Sequence, residues 1–362
     1  MKKSLLLIVF LMGISVAASA FEKNVLNVEY RAVPDNFETL IKTEADKWNF
    51  NFMPYSDDAE MLWSDPAFRR DVSTTGGSVK RVTAVYGACN ELGLTILVYS
   101  AEPELQKTLA EGKAMPHSTL EMFFAPGDAD NDRMQHWYQF IFSQHCSADP
   151  VMDYPWLEHD RNFRRITGEV KVVTKILDNA YITRVFIPWS LLDNRTPFSD
   201  KADNFWRIGI YRWCPGLSQT WGGRVQAMTS TGYFRMPAFT PEQKDAIRKN
   251  LLLRAWGDYT EAFQPVRTAE GNREAWRKVK EVPAVRSYAH ISEEREFMAK
   301  ALPPIVERCN AICAEIAKYD TLSEAEKESL FKRAKVLMQF TLDYQTAHAE
   351  MLKNKFFAPE AK

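Results

Sequence analysis

Glu121 sits in a short apolar run, Thr119-Leu120-Glu121-Met122-Phe123-Phe124, and Gln139 sits in an aromatic one, Trp137-Tyr138-Gln139-Phe140-Ile141-Phe142. A carboxylate accepts hydrogen bonds, and a primary amide both donates and accepts them. Placed beside flat rings, such a pair suits non-covalent capture: ligand hydroxyls bond the polar groups while a ring face stacks on the ligand's apolar side. The two runs are separated by Gly127-Asp128-Ala129-Asp130-Asn131-Asp132, which reads as the turn of a hairpin. With the turn centred near Asp130, Glu121 lies opposite Gln139 and Phe123 opposite Trp137. Side chains alternate along a strand, so these four share one face while Leu120, Met122, Tyr138 and Phe140 share the other.

Other chemistry is less well supported. The carboxylates Asp128, Asp130 and Asp132 alternate as in a calcium loop, but Arg133 stands where that loop needs its sixth-position Gly, and no Glu closes it. A solvated hairpin tip is the stronger expectation, with calcium there as the weaker one. His117, His136, His145 and His159 fall in or beside loops, and Asp153, Glu158 and Asp160 gather near Trp156. Neither a nucleophile elbow nor a Ser/His/Asp set surrounds them, so a non-enzyme is expected. The five Cys show no zinc spacing. Cys309 and Cys313, four apart on a helix, have poor disulfide geometry; one pair among Cys89, Cys146 and Cys214 suits an oxidising compartment.

Bulk properties narrow the class further. With 46 basic and 47 acidic residues the formal net charge is −1, which leaves no electrostatic footprint for nucleic acid. Aromatic residues make up 12% of the chain, with 10 Trp, more than a core needs and enough to leave rings for a ligand. Lys2-Lys3, the apolar stretch Leu5 to Val16 and Ala18-Ser19-Ala20 form a secretory signal, too short to span a bilayer. Residues 1–20 are therefore expected to be cleaved, and a secreted or periplasmic chain without a membrane span is expected from Phe21 onward.

The elements that must hold Glu121 and Gln139 follow from periodicity. Val25 to Tyr30 alternates as a strand; Val82 to Ala88 and Leu94 to Tyr99 are two more, joined around Asn90-Glu91-Leu92-Gly93. Thr39 to Trp48 is helical or irregular, and Ser147 to Asn162 is a Pro/Asp-rich excursion. Strands follow over about 168–176, 181–187 and 205–213, with Asp178-Asn179 as a short turn. This spacing predicts a mainly β fold: an antiparallel β-sandwich, jelly-roll or immunoglobulin-like, over residues 21–265. A charged linker over 266–290 leads to an α-helical hairpin over 291–356. Ile305, Cys309, Ile312, Ile316 and Tyr319 form one apolar stripe, and Leu330, Leu337, Tyr344 and Met351 another at seven-residue steps. Ser323 with Glu326 is a capping box that opens the second helix.

Glu121-Met122-Phe123-Phe124, the aromatic return strand, Phe186-Ile187-Pro188-Trp189, the Trp206 to Arg212 strand and Trp221 together resemble the family 9 carbohydrate-binding modules. More broadly they resemble the DOMON-like sandwiches, over roughly residues 27–240. The resemblance implies a non-catalytic module that binds oligo- or polysaccharide, with Glu121 as the family's strand Glu and Gln139 at a polar position of the next strand. The family's two clamping Trp positions fall at Met115 and Val225, and an acidic position at Ser118. Trp221, Trp137 or Trp156 are then the alternative stacking rings. The expected carbohydrate contacts are Glu121, Gln139, Trp137, Arg212 and Trp221. Two other readings stand beside this one. A structural or assembly protein would have a degenerate sugar site and dock a partner or second copy through residues 291–356. A haem-binding DOMON-like domain would draw on Met122, Met134, His117 and His136.

Overall fold

The computed structural model describes residues 25–50, 52–55, 82–113, 118–126, 137–144, 152–159, 162–163, 170–192, 196–198, 204–214, 217–221, 232–268 and 299–357. They divide into two compact units that meet in the chain between Lys244 and Asp245.

The first unit is a β-sandwich. Its strands are β1 (Val25–Asn27), β2 (Glu29–Tyr30), β3 (Met53–Tyr55), β4 (Thr83–Cys89), β5 (Gly93–Ala101), β6 (Thr119–Ala125) and β7 (Trp137–Ser143). They continue with β8 (Met152–His159), β9 (Asn162–Phe163), β10 (Lys171–Leu177), β11 (Ala180–Pro188), β12 (Phe205–Cys214), β13 (Leu217–Trp221) and β14 (Gly232–Arg235). Among the described residues, nine strands form one sheet in the order β1-β14-β12-β6-β7-β8-β9, with β13 beside β12 and β3 beside β13. The other sheet runs β10-β11-β5-β4-β2. Most pairings are antiparallel, as expected; β1 with β14 and β2 with β4 are parallel.

Alternation explains the interior. Leu120, Met122 and Phe124 of β6, Tyr138, Phe140 and Phe142 of β7, and Trp206, Ile208 and Ile210 of β12 are all buried. Large apolar side chains of this kind contribute about 1.5–3 kcal/mol each when removed from water. The five-stranded sheet is covered on both faces, so β4 is buried at every position rather than alternating. Its outer face carries Ala84, Tyr86, Ala88, Leu97 and Ile182 against Phe37, Leu40 and Trp48. Phe37 opens a 3-10 turn that runs into the segment read as helical or irregular, and Leu40 and Trp48 belong to that segment, which continues as the short helix α1 (Leu40–Thr43) and a second 3-10 turn.

One tight passage fixes the β4–β5 hairpin. Asn90 Oδ1 accepts from the Leu92 and Gly93 amides at 2.9 and 3.1 Å. A Cβ on Gly93 would stand 2.3 Å from the Ile187 carbonyl oxygen, so only Gly fits. The Ile-Pro-Trp strand end closes on the same turn: the buried Trp189 donates its indole N–H to the Asn90 carbonyl at 2.9 Å and packs edge-on to Trp206. The excursion expected between Ser147 and Asn162 contains β8, paired with β7 although Pro155 interrupts its run of donors. Between β5 and β6 lies the short helix α2 (Leu105–Ala110).

The second unit is helical, and it is larger than the expected hairpin. Helix α3 (Pro241–Thr268) begins four residues before the boundary, and its Leu252, Ala255 and Tyr259 join the helical core. The sandwich therefore ends about 20 residues before the expected position 265, because Leu252, Ala255 and Tyr259 are buried among helices. Helix α4 (Leu302–Ile316) presents Ile305, Cys309, Ile312, Cys313 and Ile316 to that core. The capping box at Ser323 and Glu326 is formed, and three helical segments follow: α5 (Glu324–Arg333), α6 (Lys335–Met338) and α7 (Phe340–Phe357). Their junctions, Ala334 and Gln339, keep right-handed helical backbone, so the seven-residue stripe through Leu330, Leu337 and Tyr344 stays in register and buried. Of the linker expected over 266–290, residues 266–268 end α3 and the rest lies outside the described residues. Among the described residues no helix is long and apolar enough to cross a membrane.

Candidate functional site

The face of the large sheet that points away from the sandwich interior is set by the odd positions of β6 and β12. On β6 these are Thr119, Glu121, Phe123 and Ala125; on β12 they are Arg207, Gly209, Tyr211 and Trp213. Tyr211 is the register partner of Glu121, and Trp213 that of Thr119. Phe123, Ala125 and Tyr211 cluster with Trp213 packed against them, and the Phe123 and Tyr211 rings meet edge to face at 5.5 Å. Glu121 is half-buried in this patch. Its Oε1 accepts from Gln139 Nε2 at 2.5 Å and its Oε2 from the Trp213 indole N–H at 2.9 Å. An ionised carboxylate has about four acceptor positions, so two fixed donors leave capacity for others. The partly exposed Glu121, Gln139 and Trp213 thus form a fixed acceptor over a buried aromatic layer, since Phe123 and Tyr211 are 4% and 1% exposed.

The register behind this contact differs from the expected one by two residues. Glu121 stands across from Ile141, and Phe123 from Gln139. A shift of two conserves the face of every side chain, so Glu121 and Gln139 remain diagonal neighbours and still bond.

Of the expected contacts, Glu121 and Gln139 are brought together. Trp137 opens β7 as the register partner of Glu158; its side chain lies outside what is described. Arg212 and Trp221 are corrections: both are 0% exposed. Arg212 shares the parity of Trp206, Ile208 and Ile210 and so must point between the sheets. Trp221 is the partner of Ile210 and packs against Phe234, with ring centroids 5.7 Å apart. The alternation of apolar residues along β12 already carried this signal, and the same alternation would have nominated Tyr211 and Trp213.

Inside the sandwich Arg212 meets a set of polar groups. Its Nη2 donates to Glu102 Oε1 at 2.6 Å and to the Ala101 carbonyl at 2.8 Å; Nη1 reaches Thr83 Oγ1 at 3.0 Å and Nε reaches Ser118 Oγ at 3.4 Å. Ser118 donates to Gln144 Oε1, and Gln144 Nε2 donates to Thr183 Oγ1, at 2.7 and 2.9 Å. Nearby, burial pushes the Tyr181 phenol up to about 12, with Glu102 adding to the shift and Arg212 opposing it.

Asp128, Asp130, Asp132, Met115, Val225, His117, Met134 and His136 lie outside the described residues, while Met122 is buried in the sandwich core. Among the described residues no group of three or more His, Cys, Asp and Glu side chains gathers as metal ligands would. Cys89, Cys309 and Cys313 are buried free thiols.

No protein family and no curated protein matches the chain by sequence. Solved structures do match it by shape. A family 9 carbohydrate-binding module from Caldicellulosiruptor kristjanssonii, in complex with glucose, is 10% identical with a TM-score of 0.36 over 60% of this chain and 97% of that one. The same module in complex with cellotriose gives 9% and 0.36 over 60% and 96%. A Bacteroides uniformis protein described as a candidate carbohydrate-binding protein gives 12% and 0.32 over 59% and 99%.

Proposed function

We propose that the sandwich unit is a non-catalytic module that captures a saccharide on the outer face of its large sheet. The observation that supports this most directly is the carboxylate of Glu121, half-exposed and held by Gln139 and Trp213 next to Phe123 and Tyr211. In this reading ligand hydroxyls donate to the remaining lone pairs of Glu121, and a pyranose ring stacks on the partly exposed Trp213. Charge-assisted hydrogen bonds supply the specificity, and the Trp213 ring supplies apolar contact.

Glycan-array screening of the folded protein, followed by calorimetric titration of the hits, tests this. Binding to at least one glycan class is expected, and Glu121→Gln is expected to weaken it at least about tenfold, as losing a charged acceptor does. A folded protein that binds no glycan, or a Glu121→Gln variant with unchanged affinity, would overturn the reading. We further infer export. Expression of the full chain in a Gram-negative host should yield periplasmic or secreted protein with Phe21 as its first residue by N-terminal sequencing; an intact leader on all of the protein would count against it.

A further inference from the structure

A buried charge pair calls for a reason. Taking Arg212 and Glu102 out of water costs several kcal/mol per ion, and well-packed apolar residues of similar volume often stabilise a core equally or better. Here the side chains of both are essentially sealed, at 0% and 1% exposure. A buried pair of this kind is therefore weak evidence of a purely stabilising role.

Its position does offer a reason. The candidate site is carried by β6, β7 and β12, and each of these strands runs into the Arg212 network at the same end. Ser118 immediately precedes β6, Gln144 immediately follows β7, and Arg212 lies on β12 between Tyr211 and Trp213. The Gln144 amide also donates to the Ser118 carbonyl at 2.8 Å. The opposite sheet anchors the network through Thr83, Thr183 and the Ala101–Glu102 segment. Thr83 also donates to Gln219 of β13, so a fourth strand of the large sheet is tied in.

What such a network decides is register. Hydrophobic alternation forbids a slip of one residue, because that would turn every core side chain outward. It does not forbid a slip of two. With Glu121 opposite Gln139 instead of Ile141, the same faces stay buried, yet Gln139 stands directly across from Glu121 instead of on its diagonal. A two-residue slip of β12 would likewise move Trp213 from its place opposite Thr119, either to stand directly across from Glu121 or away from the carboxylate. Directional hydrogen bonds to a planar, five-donor guanidinium do distinguish these registers, since a two-residue step moves a strand by almost 7 Å.

We propose that Arg212 is a positioning residue: with Glu102, Ser118 and Gln144 it selects, among the face-conserving alternatives, the register that places Trp213 and Gln139 on the carboxylate of Glu121. Its functional meaning rests on the saccharide reading of that site, but its test does not.

The test is the Trp213 indole N–H cross-peak in a proton–nitrogen correlation spectrum, assigned by its loss in Trp213→Phe. In the wild type this peak should differ clearly in position from that in Glu121→Gln, which keeps the side-chain shape but removes the charged acceptor. Replacing both charges, Arg212→Met with Glu102→Met, leaves no orphaned ion and should still fold. The Trp213 peak is then expected to shift or split and to lose its link to Glu121, while far-ultraviolet circular dichroism stays native. Arg212→Lys restores the charge without the fork and should not restore the peak. Ser118→Ala is the milder variant; it removes the hydroxyl shared by Arg212 and Gln144 and should move the same peak even if the double replacement fails to fold. A native Trp213 peak, still coupled to Glu121, in the folded double variant or in Ser118→Ala would overturn the proposal. A glycan array without hits would remove the proposed function and leave this register claim standing. Conversely, an unmoved peak beside intact saccharide binding would remove only the register claim.

Discussion

Glu121 holds a donor from its own protein on each oxygen and still reaches the surface, which sets it apart from an ordinary solvent-facing strand carboxylate. Trp213→Phe removes one of those donors and retains most of the ring. It is expected to lower saccharide affinity several-fold in calorimetry with little change in Tm, because the indole is only partly buried. Gly93 shows the opposite behaviour. An added methyl meets backbone, which cannot rotate away, so Gly93→Ala is expected to destabilise the sandwich by about 1–3 kcal/mol in denaturant titration without touching the site. Both residues were visible in sequence, Gly93 as turn punctuation and Trp213 as a strand aromatic. Neither the close approach of Ile187 nor the bond to Glu121 was, since each depends on a chain segment far away in sequence.

At the level of elements, parity was the most informative pattern and also the one most easily misapplied. Glu121 and Gln139 follow it; Arg212 shares the parity of Ile208 and Ile210, and the structure places it inside. Helix α3 carries another signal legible in the sequence. Thr240-Pro241-Glu242-Gln243 places a capping Thr before a Pro, and the reciprocal bonds form: Thr240 N to Gln243 Oε1 at 2.9 Å and Gln243 N to Thr240 Oγ1 at 3.3 Å. Ser323→Ala, which breaks the corresponding box on α5, should lower the Tm of the helical unit by a few degrees. The helical unit also has an acid-sensitive contact. Burial opposes ionisation of Asp245, but the Tyr319 hydroxyl at 2.8 Å and Lys327 at 3.0 Å outweigh it, so its carboxyl sits below the ordinary value. A depressed carboxyl stabilises the fold above its unfolded pKa of about 4 and loses that contribution as pH falls through the folded value. Helix content should therefore melt earlier below about pH 4, and Asp245→Asn should flatten that acid limb in thermal melts.

For the whole molecule, the described thiols report on integrity. Burial pushes Cys89 and Cys309 up to about 12 and Cys313 to about 11. In native protein at neutral pH these three should resist a thiol reagent and react only on denaturation; rapid labelling of any of them would mean that its core opens. The boundary between the two units lies where no Pro/Gly-rich linker marks it, inside the first turns of α3, because a helix can leave one compact unit and supply a stripe to the next. The sequence by itself determined the fold class, the positions of most strands, the faces of β6 and β7, the capping box at Ser323 and the two helical stripes. Each of these is a local pattern, repeated over a few residues and enforced by burial of apolar area. Only the tertiary structure decided which ring reaches Glu121, that Arg212 is sealed against Glu102, and which of two face-equivalent registers is adopted. Alternation is blind to a two-residue step, and only polar groups brought together from distant strands remove that ambiguity.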